Sequence, residues 1–145
     1  MKQTVSVVGA LLLSAGFFMV SCKKVKTKSV EKSMVEGTWR VSNFTEDGDN
    51  ETYYFSGYSF DFSSDGKVTA TNGTSTIVGS WSLSKDNSND DSSSDVDFNL
   101  SFPATNNFDE LNDDWDVVTQ NDNTLELKDV SGGNGGTDFL TFSKI

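Results

Sequence analysis

The sequence predicts an all-β protein, an eight-stranded antiparallel meander barrel with a two-sheet sandwich as the alternative. Three observations carry this. Short runs alternate apolar and polar residues, the strand period. Asp65-Gly66 and Asn72-Gly73 sit between such runs, where two-residue hairpin turns are made. No long amphipathic helix interrupts them, and parallel pairing would need long crossovers. Half-polar strands imply a sheet with one wet face, and eight strands is the number that closes into a small barrel filled by side chains.

The elements follow in order. Val25 to Ser29 is read as linker. Ser29 is placed as the cap of a short helical turn with Met34 and Val35 on its apolar side, and Gly37 ends it. Thr38 to Phe44 is the first strand. Glu46 to Asn50 is a turn cluster. Thr52 to Ser63 is the second strand, with Tyr58, Phe60 and Phe62 on one face and Ser59 and Asp61 on the other. Lys67 to Thr71 is the third. Ser75 to Ser84 is the fourth, with Gly79, Trp81 and Leu83 sharing a face. Lys85 to Ser94 is an acidic, serine-rich loop. Asp95 to Phe102 is the cleanest strand: Val96, Phe98, Leu100 and Phe102 alternate with Asp97, Asn99 and Ser101. Phe108 to Asn112 makes one helical turn. Trp115, Val117 and Thr119 share a face of the sixth strand, Leu125 and Leu127 mark the seventh, and Leu140 and Phe142 mark the eighth. Ser131 to Gly136 is a glycine-rich loop.

The N-terminus reads differently. Lys2 precedes Val5 to Val20, an uncharged and almost wholly apolar run. It is too short for a comfortable membrane-spanning helix of about 20 residues and fits the apolar core of a secretory signal. Met19-Val20-Ser21-Cys22 follows, and Cys22 is the chain's single cysteine. This stretch resembles a bacterial lipobox. The resemblance implies that residues 1–21 are a lipoprotein signal peptide and that Cys22 becomes the first mature residue, carrying a covalent diacylglycerol and further acyl chains such as palmitate. Two or three chains anchor firmly where one binds only marginally. Structural disulfides are excluded. The residues then divide into an acylated basic tether, 22–35, and a barrel domain, 36–145.

Charge is unevenly spread over this chain of 145 residues and net charge −11. Lys23, Lys24, Lys26, Lys28, Lys32 and Arg40 crowd the start. All but Glu31 and Glu36 of the 22 acidic residues lie beyond them, against Lys67, Lys85, Lys128 and Lys144. The tether is drawn to anionic head groups and the acidic body is repelled by them. Nucleic acid is excluded as a partner by that balance. Lys23-Lys24 after the cysteine resembles the sorting pattern of lipoproteins released to the outer membrane. A surface-export signal would be acidic here, so the periplasmic face is expected over the cell surface.

Gly37-Thr38-Trp39, preceded by a helical turn, resembles the lipocalin signature. Tyr58-x-Phe60-x-Phe62 with Asp65-Gly66, Gly79-x-Trp81-x-Leu83, Leu111 with Trp115-x-Val117, Leu125-x-Leu127 and Leu140-x-Phe142 extend the pattern over roughly residues 36 to 144. The chain resembles a Bacteroidetes-type lipocalin-like lipoprotein family of calycin-like fold. The resemblance implies that Trp39 plugs the closed end of the barrel and that a basic residue near the last strand, Lys144, packs on it.

Chemistry is sparse. The sequence holds no histidine, so the commonest general base and metal ligand is missing. No Ser-His-Asp triad is possible, and the acids fall mainly in solvated loops. We expect no enzyme and no cofactor beyond the lipid. A weak calcium reading rests on Asp86, Ser88, Asp90 and Asp97, with oxygen at alternating positions. An EF-hand loop would have glycine where Asp91 stands, and flanking helices. The expected function is a membrane-anchored module that binds a small apolar or amphipathic ligand against Tyr58, Phe60, Trp81 and Phe98. The alternative is an interaction subunit of an envelope protein complex, with its barrel filled by those same aromatics.

Overall fold

Alternation sets which side each strand turns inward. In the computed structural model, which describes residues 24–85, 96–131 and 135–145, Val96, Phe98 and Leu100 are buried while Asp97 and Asn99 between them are half-exposed. The same rule turns Phe60 and Phe62 inward and Asp61 outward. The strands are β1 (Thr38–Glu46), β2 (Asp49–Asn50), β3 (Ser59–Phe62), β4 (Lys67–Thr71), β5 (Thr76–Lys85), β6 (Val96–Ser101), β7 (Asp113–Gln120), β8 (Thr124–Val130) and β9 (Thr137–Lys144). A helix, α1 (Thr27–Val35), precedes them.

Every neighbouring pair is antiparallel. Among the described residues, β1 and β3 to β9 form a meander that closes when β9 returns to β1. The closing seam runs from Trp39↔Lys144 to Thr45↔Phe139, with a bulge between Val41 and Asn43. The expected eight-stranded barrel is therefore what forms, and the sandwich is excluded. β2 is a small addition: Asp47 and Gly48 take positive φ, and Asp49 and Asn50 fold back on Glu46 and Thr45.

Three local expectations are corrected. Residues 52–57 do not extend β3. Thr52–Phe55 is a 3-10 turn, because the Thr52 hydroxyl holds Phe44 N–H at 2.8 Å and Gly57 turns the chain at φ +83°. Ser29 does not cap α1. The helix starts two residues earlier, behind Lys26, and the Ser29 hydroxyl donates to Gln120 Oε1 at 2.9 Å. Its buried stripe is Val30 and Met34, four residues apart and so on one face, whereas Val35 is exposed. Thr119 does not share the inward face of Trp115 and Val117, because a bulge after Val117 shifts the register and leaves it exposed.

Tryptophan ties the connections to the wall. Trp39 Nε1–H donates to the Met34 carbonyl at 3.0 Å, Trp81 Nε1–H to the Ser63 carbonyl at 2.9 Å, and Trp115 Nε1–H to the Leu111 carbonyl at 3.0 Å. A buried indole needs such a partner. Each bond pins a different segment: α1, the β3–β4 hairpin and the 3-10 turn Phe108–Leu111. No helix among the described residues is long and apolar enough to cross a membrane.

Candidate functional site

Three places could carry function: the barrel interior, its closed end and its open end. The closed end is built on Trp39. Its ring is fully buried under α1, next to Val30 and Met34. Lys144 Nζ lies 5.3 Å from the ring centroid, within cation–π range. That is the arrangement the Gly37-Thr38-Trp39 pattern leads one to expect. The Lys144 stem runs against Gly37, where a β-carbon would lie 2.1 Å from Lys144 Cε. Glycine leaves the space that lets the lysine lie flat.

The interior is occupied by rings. Phe60 and Phe98 are fully buried, and Trp81 and Tyr58 nearly so, at 6% and 9% exposure. The structure brings these four expected ligand contacts together as two pairs. Trp81 and Phe98 touch at a centroid separation of 5.6 Å. Tyr58 and Phe60 both meet Phe108, at 5.0 and 5.8 Å. Phe142 bridges the pairs, 5.4 Å from Phe60 and 6.3 Å from Phe98. Phe62 completes the cluster against Trp81 at 5.3 Å. Half of these contacts are edge-on, a preferred geometry of aromatic pairs. The four side chains face one another and their neighbours across the barrel axis.

Phe108 and Phe55 are two interior aromatics the sequence did not single out. Both come from 3-10 turns that fold over the open end, and their rings meet at 5.4 Å. The signal for Phe108 was local. Asn106 and Asn107 take left-handed φ just before it, which asparagine tolerates. Asn112 then closes the loop by pairing with Phe102 as a backbone would: its Nδ2 donates to the Phe102 carbonyl at 2.9 Å and its Oδ1 accepts from Phe102 N–H at 2.5 Å.

Carboxylates ring the open end. Burial pushes Glu46 up, and Glu110, Glu51, Asp138 and Asp47 push it further. Burial also raises Asp129, with Asp138 adding to it. Asp113 is pushed up to about 6, chiefly by burial and then by its hydrogen bond with Asp114. These are crowded acids without cations between them, the case in which like charge disfavours ionisation. Among the described residues, no group of three or more acids converges as a metal site would require. Asp97 lies on β6, its carboxylate accepting from Ser84 Oγ at 3.3 Å. Asp86, Ser88 and Asp90, the other calcium candidates, lie outside the described residues, as does Cys22.

No family model and no curated protein matches the sequence. Among solved structures, the crystal structure of a DUF4847 family protein from Bacteroides vulgatus ATCC 8482 is similar, with a TM-score of 0.49 and 22% identity, covering 79% of this chain and 96% of that one.

Proposed function

We propose that this protein is a lipid-anchored, non-catalytic barrel of the bacterial outer membrane, held through Cys22 on the periplasmic face, and that it works through its outer surface as an interaction subunit of the envelope. One observation carries the choice of surface over interior. The residues expected to line a ligand cavity, Tyr58, Phe60, Trp81 and Phe98, are packed into a continuous aromatic cluster. Opening it would forfeit several ring contacts of about 0.5–1.5 kcal/mol each. The anchor reading rests on the Met19-Val20-Ser21-Cys22 stretch, and the non-catalytic reading on the absence of histidine from the sequence.

Native mass spectrometry of the purified protein tests the choice. The expected mass is that of the acylated polypeptide alone. A non-covalent apolar ligand that survives purification and is lost in a Phe98→Trp variant would overturn it. Growth with labelled palmitate tests the anchor separately: label should enter the protein and vanish with Cys22→Ala.

The small-ligand reading keeps one observation in its favour. A cavity of about 710 Å³ beside α1 has Val25, Leu83 and Val96 among its lining residues, with Lys24, Lys26, Lys28 and Lys85 around them. Apolar floor and cationic rim suit an anionic amphiphile, held outside the barrel. A fatty acid found in the mass spectrum and lost with Lys85→Glu would favour this reading over the first.

A further inference from the structure

The barrel wall has a gap. β1 and β3 pair only at Thr38↔Asp61 and Trp39↔Phe60. Ile145 N–H donates to the Thr38 carbonyl at 3.0 Å, so Thr38 faces β9. Backbone groups alternate sides along a strand, so Trp39 and Val41 face β3. Trp39 meets Phe60. Phe44, beyond the bulge, gives its N–H to Thr52 Oγ1 at 2.8 Å and accepts from Glu51 N–H at 2.9 Å. Between them no strand stands opposite Val41, and among the described residues no backbone bond reaches it from that side. A backbone pair so placed needs water or a ligand.

The gap opens outward as a cleft of about 440 Å³, within the range of small-molecule sites. Its floor is Val41, Phe55 and Tyr58, all buried. Its walls carry Ser42, Ser56 and Ser59; the Ser42 hydroxyl donates to the Thr141 carbonyl at 3.2 Å and the Ser59 hydroxyl to the Thr71 carbonyl at 3.3 Å, which leaves their oxygens as acceptors. Tyr53 stands at the rim, 63% exposed, its ring 4.3 Å from that of Tyr54. Two further facts set the cleft apart. None of the chain's 22 acidic side chains lines it, although Ile145, the last residue of the sequence, does, and Arg40, also on its wall, is the only arginine. Arg40 is exposed and has no ion-pair partner among the described residues.

We propose that this cleft between β1 and the Thr52–Ser59 segment binds an acidic sugar, a uronic acid or the uronate end of a glycan. A ring of carbons with hydroxyls on its edge lies against Tyr53. Its hydroxyls donate to the serine oxygens and exchange hydrogen bonds with the free Val41 edge, which offers one donor and one acceptor. Its carboxylate meets the Arg40 fork, the geometry that arginine recognises best. The proposal deepens the surface-acting reading above by naming a ligand for one part of that surface, and it rests on that reading.

Amide NMR on the purified full-length protein tests it, with glucuronic acid as the probe and glucose and acetate as controls. Glucuronic acid should give saturable shifts confined to residues 40–42 and 52–59. Glucose and acetate should each bind at least about tenfold more weakly, since a charge-assisted pair and the ring contact are each worth about 1.4 kcal/mol or more. Arg40→Gln, at an exposed position, should bring glucuronic acid down to the level of glucose while leaving the rest of the spectrum unchanged. Tyr53→Ala should weaken both sugars and leave acetate unaffected. The inference is overturned if no saturable shift appears, if acetate matches glucuronic acid, or if Arg40→Gln binds as the parent does. Those failures would leave the native mass spectrum, and with it the surface-acting reading, untouched.

Discussion

At the closed end of the barrel a single indole does the sealing: Trp39 sits under α1, bonded to the Met34 carbonyl and covered by the Lys144 ammonium. At the open end the seal is made by Phe55 and Phe108, carried on two 3-10 turns, and the rim above them is crowded with carboxylates whose protonation burial and mutual repulsion favour. Both ends are shut by aromatic packing. They differ in what lies outside the seal. One has a cation in contact with the ring. The other has acids that destabilise the fold when ionised. The closed end is thus the place where the structure stores stability, and the open end the place where it is spent on surface charge.

The sharpest way to break this contrast is Trp39→Ala. Removing a fully buried indole should cost about 3–5 kcal/mol, and leaving the Met34 carbonyl unpaired adds to that. Urea denaturation measures it, and a loss below about 1 kcal/mol would show that α1 and Trp39 do not seal the barrel. Phe108→Ala should cost less, about 3 kcal/mol, because the turn carrying Phe108 can settle into part of the space. Hydrogen exchange in that variant should rise at the Phe108–Leu111 turn and spare the Trp39 end. Equal loosening of both ends would mean they do not act separately. Lys144→Met, which keeps the stem against Gly37 and removes the charge, should cost about 0.5–1 kcal/mol, again by urea denaturation.

The smallest effect should come from pH. The folded protein holds the Asp113 proton up to about pH 6, against an ordinary value of 3.8. The unfolded chain releases that proton first, so the contribution to stability is full below 3.8 and is lost as pH rises through about 6. Glu46 and Asp129 act in the same direction. Asp113→Asn should therefore stabilise the protein at pH 7.5 and leave it unchanged at pH 3.5. Solvent screening keeps the gain below about 1 kcal/mol. Thermal melts at the two pH values read this directly, and a gain at the acid value instead would reverse the assignment of strain to the open end.

The closed end was legible in the sequence and the open end was not, for physical reasons. Gly37-Thr38-Trp39 and the alternation in residues 96–102 are local patterns, and a strand with one buried face writes its alternation directly into the chain. The run Thr52-Tyr53-Tyr54-Phe55 is written in strand-forming residues yet coils into a 3-10 turn, because Thr52 bonds back to Phe44 on β1. That contact depends on how β1 lies, which no local pattern holds. Ser56-Gly57 inside the run was the one available sign of a break. The bulge that exposes Thr119 is equally silent. The expected ligand residues were correctly sensed as inward aromatics. What their spacing could not disclose was Phe142 and Phe108 filling the volume between them.

The seam between Trp39 and Lys144 has a consequence for the history of the molecule. Its two strands stand at opposite ends of the folded sequence, and the edge that each turns to the seam has no partner nearby in the chain. Every hairpin from β3 to β9 can form as it emerges, but the cylinder cannot close until Leu140 and Phe142 have arrived. Such distant pairing makes folding slow, on the scale of milliseconds to seconds. Until that last strand arrives the sheet keeps two open edges, the state in which strands are most exposed to wrong pairing.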